Sequence, residues 1–89
     1  NINDPTVFVF YLDREVLKNP EIRGGFASSV NTVFSQKHFN AIAFFMPTDT
    51  EERIECINPK LVHEDEYAKV VKMLEECQKL FDMENKKLD

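Results

Sequence analysis

The chain has 89 residues, of which 43% are hydrophobic and 30% charged, and its net charge is -5. This composition argues against a disordered chain, and the length allows one hydrophobic core but not two. The acidic excess lies in the second half, where residues 45–89 hold twelve acids and seven bases. Because nucleic acids are bound chiefly through Lys and Arg that neutralise phosphates, direct nucleic-acid binding is disfavoured. We predict one domain over residues 1–89, with residues 1–5 and 83–89 frayed.

The two cysteines, Cys56 and Cys77, have no metal-ligand spacing and are too few for a disulfide framework. Both lie in apolar patterns, which predicts reduced and buried thiols. The longest apolar run, residues 41–46, is far shorter than the ~20 residues of a membrane span. No charged-then-apolar signal segment opens the sequence. These features favour a cytoplasmic protein with no membrane partner.

The first half of the chain predicts a strand followed by a helix. Residues 6–12 are β-branched and aromatic, which is typical of a strand. Asn19 and Pro20 mark a helix start as cap and first residue. Each glycine of the pair Gly24 and Gly25 costs about 1 kcal/mol inside a helix, so we expect the regular helix to begin after them. Apolar residues then recur at helical spacing: Ile22, Phe26, Val30, Val33 and Phe34.

The second half predicts two strands and a long helix. Residues 39–46 form the second strand, which Pro47 ends, and residues 53–57 form the third, so the pair is expected to be a β-hairpin. Acids at positions 64–66 favour a helix start, because they face the positive end of the helix dipole. The predicted fold is a single α+β domain of order β-α-β-β-α, a three-stranded mixed sheet with two helices packed on one face. The final helix has one apolar stripe: Tyr67, Val70, Val71, Leu74, Cys77, Leu80 and Phe81.

The first two strands are apolar on both faces, because neighbouring strand residues point to opposite sides. Two helices on one face would leave the other apolar face in water, and such a face usually marks an interaction site. This pattern predicts a homodimer formed through the open face. The alternative is that the helices straddle the sheet, one on each face, and no interface is needed. The residues expected at the interface are Val7, Val9, Tyr11, Ile42 and Phe44.

Catalytic and metal-binding motifs are not visible in the sequence. His63 and the three acids after it are consecutive, so on a helix they project in different directions and cannot converge on one ion. His38 has no acid or cysteine partner nearby in the sequence and is expected on the surface. Neither cysteine has a Gly-rich elbow or a Cys-x-x-Cys partner. We therefore expect no enzyme, no metal and no cofactor.

A candidate site for an anionic small molecule or nucleotide comprises Arg14, Arg23, Gly24 and Gly25. Arg14 follows the first strand, where open α/β sheets tend to place ligand-contacting loops. The glycine pair before a helix could offer backbone N–H groups to an anion, with Arg23 beside it. The spacing matches neither the dinucleotide-binding fingerprint nor the P-loop.

One segment carries a resemblance to known proteins. Residues 44–48, Phe-Phe-Met-Pro-Thr, together with residues 53–59, Arg-Ile-Glu-Cys-Ile-Asn-Pro, resemble a hairpin of small uncharacterised proteins encoded by tailed phages. The resemblance covers less than a fifth of the chain. It implies a viral accessory protein acting inside a bacterium, and it implies no functional residues.

The leading hypothesis is a non-enzymatic binding protein that acts by stoichiometric contact as a homo-oligomer, with a host protein as a further partner. Sequestration of an anionic small molecule is one alternative. The other is an acidic DNA mimic that occupies a nucleic-acid-binding protein. Its carboxylates would include residues 64–66, Glu75 and Glu76, and the interspersed Lys69, Lys72 and Lys79 dilute their field.

Overall fold

The computed structural model describes the backbone of residues 4–87 and the side chains of residues 4–84. The α+β class and the mixed three-stranded sheet are confirmed, with one short helix added after the first strand. Of the ends expected to fray, residues 1–3 and 88–89 lie outside the described part. The last helix continues to Lys87, well past residue 83. The elements in chain order are β1 (Thr6–Asp13), α1 (Arg14–Leu17), α2 (Pro20–Gln36), β2 (Ala41–Thr48), β3 (Arg53–Ile57) and α3 (Glu64–Lys87).

The first strand, β1, is the centre of the sheet. The strand order is β2-β1-β3, with β1 parallel to β2 and antiparallel to β3. The predicted hairpin of β2 and β3 is therefore wrong, because β1 lies between these two strands. The physical reason lies in β1 itself, whose apolar residues on both faces favour the position that is covered from above and below. β2 and β3 both become edge strands.

The second strand begins later and ends later than predicted. β2 runs from Ala41 to Thr48 and includes Pro47, which was expected to stop it. Proline has no N–H to donate, so in sheets it is confined largely to edge strands, and β2 is an edge strand. Phe39, expected in the strand, instead follows the end of α2.

The first face of the sheet is covered by α3. Side chains from β1 and β2 meet the apolar stripe of α3 in one cluster, in which Val7 and Val9 have 0% and 1% of their surface exposed. Burial of apolar surface is the main favourable term in folding, so this contact fixes α3 on the sheet. The buried members are Val7, Val9, Phe44, Met46, Tyr67 and Leu74.

The second face is covered by α2, and the helices therefore straddle the sheet. The predicted packing of both helices on one face is wrong, because each face of β1 and β2 is apolar and each needs its own cover. Phe81 from the C-terminal part of α3 also reaches this second cluster. The buried members are Leu17, Phe45 and Phe81, and Phe10, Leu12, Ala27, Val30 and Ala43 pack against them.

A hydrogen bond ties α3 to the start of β1. The hydroxyl of Tyr67 donates to the carbonyl oxygen of Pro5, and the Tyr67 side chain is buried. Burial also raises the pKa of this phenol above its ordinary value. We expect Tyr67→Phe to lower the free energy of unfolding by ~1 kcal/mol, the usual net value of one such bond. Urea unfolding followed by circular dichroism measures the change, and an unchanged midpoint would show that the bond contributes nothing.

Candidate functional site

The residues predicted to form a dimer interface belong to the core of the chain. Val7, Val9 and Phe44 are buried, and Tyr11 and Ile42 are half-buried against the same cluster. The prediction of an interface on this face is wrong, because α3 already covers it. Exposed apolar surface of the sheet lies instead where the helices give no cover.

The part of the sheet without cover is β3, whose first four residues are exposed. β3 is an edge strand, and its positions 53–56 are exposed on both faces of the sheet. Ile54 keeps 63% of its surface exposed. The thiol of Cys56, expected to be buried, is exposed, and so is that of Cys77. An edge strand without cover presents unpaired backbone N–H and C=O groups, to which another strand can pair.

The end of α2 places an aromatic side chain just before β2, at the end of the sheet where β1 begins. His38 has φ of 57°, and the N–H groups of His38 and Phe39 donate to the carbonyl oxygens of Ser35 and Phe34 at 3.1 and 2.9 Å. These two bonds form a Schellman motif. In this motif the two positions that Phe34 and Phe39 occupy often make an apolar contact. Their ring centroids are 6.3 Å apart. The cap thus holds Phe39 in place, although 60% of its surface is exposed.

We call the resulting apolar surface the open patch: Phe8, Phe34, Phe39, Ile54 and Cys56. Phe8 joins its two halves, because its ring centroid is 5.5 Å from that of Phe34 and its register partner on β3 is Cys56. Ile54 continues the patch on the same face, opposite Phe10. Phe39, Ile54 and Cys56 are exposed and Phe8 and Phe34 are half-buried, and an exposed apolar surface of this kind usually marks a contact site. Sequence reasoning missed this patch because it placed β3 in a hairpin with β2.

The opposite edge of the sheet is crossed by a contact between the two long helices. Arg23 of α2 and Asp82 of α3 form an ion pair, with Nη1 and Oδ1 2.8 Å apart and no aligned hydrogen bond between them. The guanidinium of Arg23 also lies 5.7 Å from the ring centroid of Phe81. Since α2 and α3 lie on opposite faces and both pack on β2, these contacts join them on the β2 side of the sheet. The contrast leaves β3 as the accessible edge.

Arg14, a predicted ligand-binding residue, lines a groove but has a carboxylate partner. Its Nε and Nη2 donate to Oδ1 and Oδ2 of Asp49 at 3.0 and 3.3 Å. This hydrogen bond and the charge of Asp49 raise the pKa of Arg14, and the same bond lowers that of Asp49. The groove has a volume of about 380 Å³, and Glu84 adds another acid to its lining. Its other lining residues are Tyr11, Met46, Pro47, Met73, Leu74, Cys77, Leu80 and Phe81.

The glycine pair lies inside α2 and not before it. The helix begins at Pro20 with Asn19 as its cap, so the prediction that it starts after Gly24 and Gly25 is wrong. At these positions the N–H groups bond within the helix, which removes them from anion binding. Arg14 and Arg23 are each paired with a different carboxylate. The structure therefore does not bring the four predicted residues together as an anion site.

Other kinds of site find no support in the described part of the chain. Within residues 4–87 no group of three or more His, Cys, Asp or Glu side chains is arranged to hold a metal ion. None of the helices described has the length and apolar character that a membrane crossing requires.

Comparisons with protein-family models, with curated proteins and with solved structures found no match. The resemblance to tailed-phage proteins therefore stays a prediction. Its two segments form β2 and β3, which β1 separates, so they are not a hairpin in this fold.

We expect the carboxyl group of Asp49 to titrate below the ordinary value of 3.8, because Arg14 stabilises its charged form. A lowered pKa in the folded state means that the contribution to stability is present above the ordinary pKa and is lost as pH falls through the folded pKa. Carbon-13 shifts of the carboxyl group against pH measure it. Arg14→Gln should return the midpoint toward 3.8. Identical midpoints in both proteins would contradict the pairing.

We expect Gly24→Ala and Gly25→Ala each to raise the free energy of unfolding by up to about 1 kcal/mol, because alanine is the better helix former. A Cβ added at either position would meet nothing within 4 Å. Thermal unfolding measures the gain. Loss of stability in either variant would show that a glycine is required there for a reason other than helix geometry.

Proposed function

We propose that the protein is a non-enzymatic binding module that acts by stoichiometric contact, and that it self-associates through the β3 edge and the open patch. One observation carries the proposal: β3 is an edge strand whose residues 53–56 are exposed on both faces, and its Cys56 lies opposite the half-buried Phe8 of β1. This basis replaces the sheet face under α3, which the chain covers by itself.

The magnitude of the contact follows from the exposed side chains. Full burial of a large apolar side chain contributes about 1.5 to 3 kcal/mol. Ile54 has 63% of its surface still to bury. Covering it contributes roughly 1 to 2 kcal/mol in each copy, in addition to the backbone pairing of β3. A five-residue strand offers a small interface, so association should be weak and concentration-dependent.

The charge of the chain is compatible with contact of this kind. The chain has a net charge of -5, and like-charged copies repel each other at long range. A Debye length of about 10 Å at 0.1 M salt screens most of that repulsion. We therefore expect self-association to strengthen when salt is raised from very low concentration to about 0.1 M.

Ile54→Lys tests the proposal, because it places a charge on the exposed β3 edge within the open patch. We expect this variant to weaken self-association at least about tenfold, which corresponds to 1.4 kcal/mol. Sedimentation equilibrium between about 10 μM and about 1 mM covers the range expected of a small interface.

Met73→Lys is the matched control. Met73 is 55% exposed, lies on α3 at the other face of the sheet and undergoes the same change of charge. It should leave association unchanged. A monomeric wild-type protein over the whole range, or equal loss in both variants, would overturn the proposal.

A further inference from the structure

The exposed residues of β3 alternate between charged and apolar side chains. Arg53 and Glu55 share one face of the sheet, and Ile54 and Cys56 share the other. All four are exposed. The strand thus offers a row of opposite charges beside a row of apolar side chains, and the order of the charges restricts what can pair with it.

Two-fold antiparallel pairing of β3 with itself has few registers. If Ile54 lies opposite Ile54 of a second copy, Arg53 lies opposite Glu55 twice, once on each side of the two-fold axis. If Glu55 lies opposite itself, two carboxylates meet at the centre. If Cys56 lies opposite itself, the strands are offset and Arg53 has no acid opposite it. Directly opposite side chains in antiparallel strands have Cβ atoms about 4.5 to 5.5 Å apart, so opposite charges stabilise and like charges destabilise.

The Arg53 side chain is ordered by contacts within its own chain. Its guanidinium carbon lies 4.0 Å from the ring centroid of Tyr11, and its Nε donates to Oε2 of Glu55 in the same strand at 3.0 Å. A guanidinium carries five N–H donors, so the Nη groups can serve a second carboxylate while Nε serves the first. The stacking on Tyr11 reduces the side-chain freedom that pairing would remove.

We infer that the occupant of the β3 edge is a second copy of this chain, paired antiparallel about a two-fold axis at Ile54, with Arg53 of each copy opposite Glu55 of the other. This inference rests on the proposed function and specifies its geometry. It is carried by the self-complementary order of charges, which only this register satisfies. The apolar rows meet at the same time, because Ile54 contacts Ile54 across the axis.

Charge reversal tests the register by complementation. Arg53→Glu gives each β3 two acids and Glu55→Arg gives each two bases, so each variant alone should self-associate at least about fivefold more weakly than wild type. An equimolar mixture of the two should form heterodimers that restore the affinity to within about threefold of wild type. The double variant Arg53→Glu/Glu55→Arg should likewise self-associate as wild type does. Sedimentation equilibrium measures all four samples, and far-UV circular dichroism checks that each is folded.

The outcomes separate this inference from the proposed function. If wild type self-associates and Ile54→Lys weakens it, but the mixture does not recover, then the contact surface stands and the register is wrong. If wild type is monomeric throughout, both fail. Weaker self-association of both single variants, with recovery in the mixture and in the double variant, supports the register. A general effect of net charge would weaken Arg53→Glu, which makes the chain more acidic, but would strengthen Glu55→Arg, which makes it less acidic.

Crosslinking gives an independent measurement of the same register. In a Cys56→Ser/Cys77→Ser background, Ile54→Cys places two thiols directly across the axis. Opposite Cα atoms in antiparallel strands are about 4.5 or 5.5 Å apart, within the range that disulfides span. Mild oxidation should then yield a covalent dimer in higher yield than for the native Cys56 in a Cys77→Ser background. The reverse order of yields would place Cys56 at the axis and overturn the inference.

Discussion

The position of β1 in the middle of the sheet is the constraint from which the rest of the structure follows. Its alternate residues pack in opposite cores, with the buried Val7 and Val9 on one side and the half-buried Phe10 and Leu12 on the other. A strand apolar on both faces is stable only where both faces are covered. One helix must therefore lie on each side, and in the described residues α2 and α3 are long enough to cover one face each.

Two helices do not cover two faces of three strands equally. α2 and α3 both pack on β2, and Arg23 and Asp82 join them there. Because both helices pack on β2, neither covers residues 53–56 of β3, which stay exposed. The asymmetry between the two edges is therefore a consequence of where the helices meet. As a result, the two edges of the sheet differ, and β3 is the accessible one.

Much of the fold could be predicted from local patterns, because β1, α2, β3 and α3 are each specified by their own residues. The strand order could not be predicted in this way. A short polar connection such as residues 49–52 can join β2 and β3 as a hairpin, and it can also join them when a third strand lies between them. Pro47 was misleading for a related reason. It ends a central strand but is tolerated in an edge strand, and its effect depends on the strand order.

The candidate site was predicted less well than the fold. Arg14 and Arg23 were predicted as ligands for an anion, but each is paired with a carboxylate, Asp49 and Asp82, that is distant in sequence. The open patch depends on the Schellman motif at the end of α2, in which the usual glycine is absent. Gly normally takes the left-handed position after a helix, and here His38 takes it. Without that glycine, sequence reading assigned Phe39 to a strand.

The two unlike edges also determine what kind of assembly the sheet can form. An exposed strand can recruit further strands without limit, which is the route to aggregation. Pairing of β3 with β3 about a two-fold axis uses the accessible edge of both copies at once. The edges left over are the β2 edges, which carry Pro47 and the contacts between α2 and α3. The resulting sheet of six strands has β2 at each end. It would therefore stop growing, because β2 does not offer the exposed edge through which the two β3 strands pair.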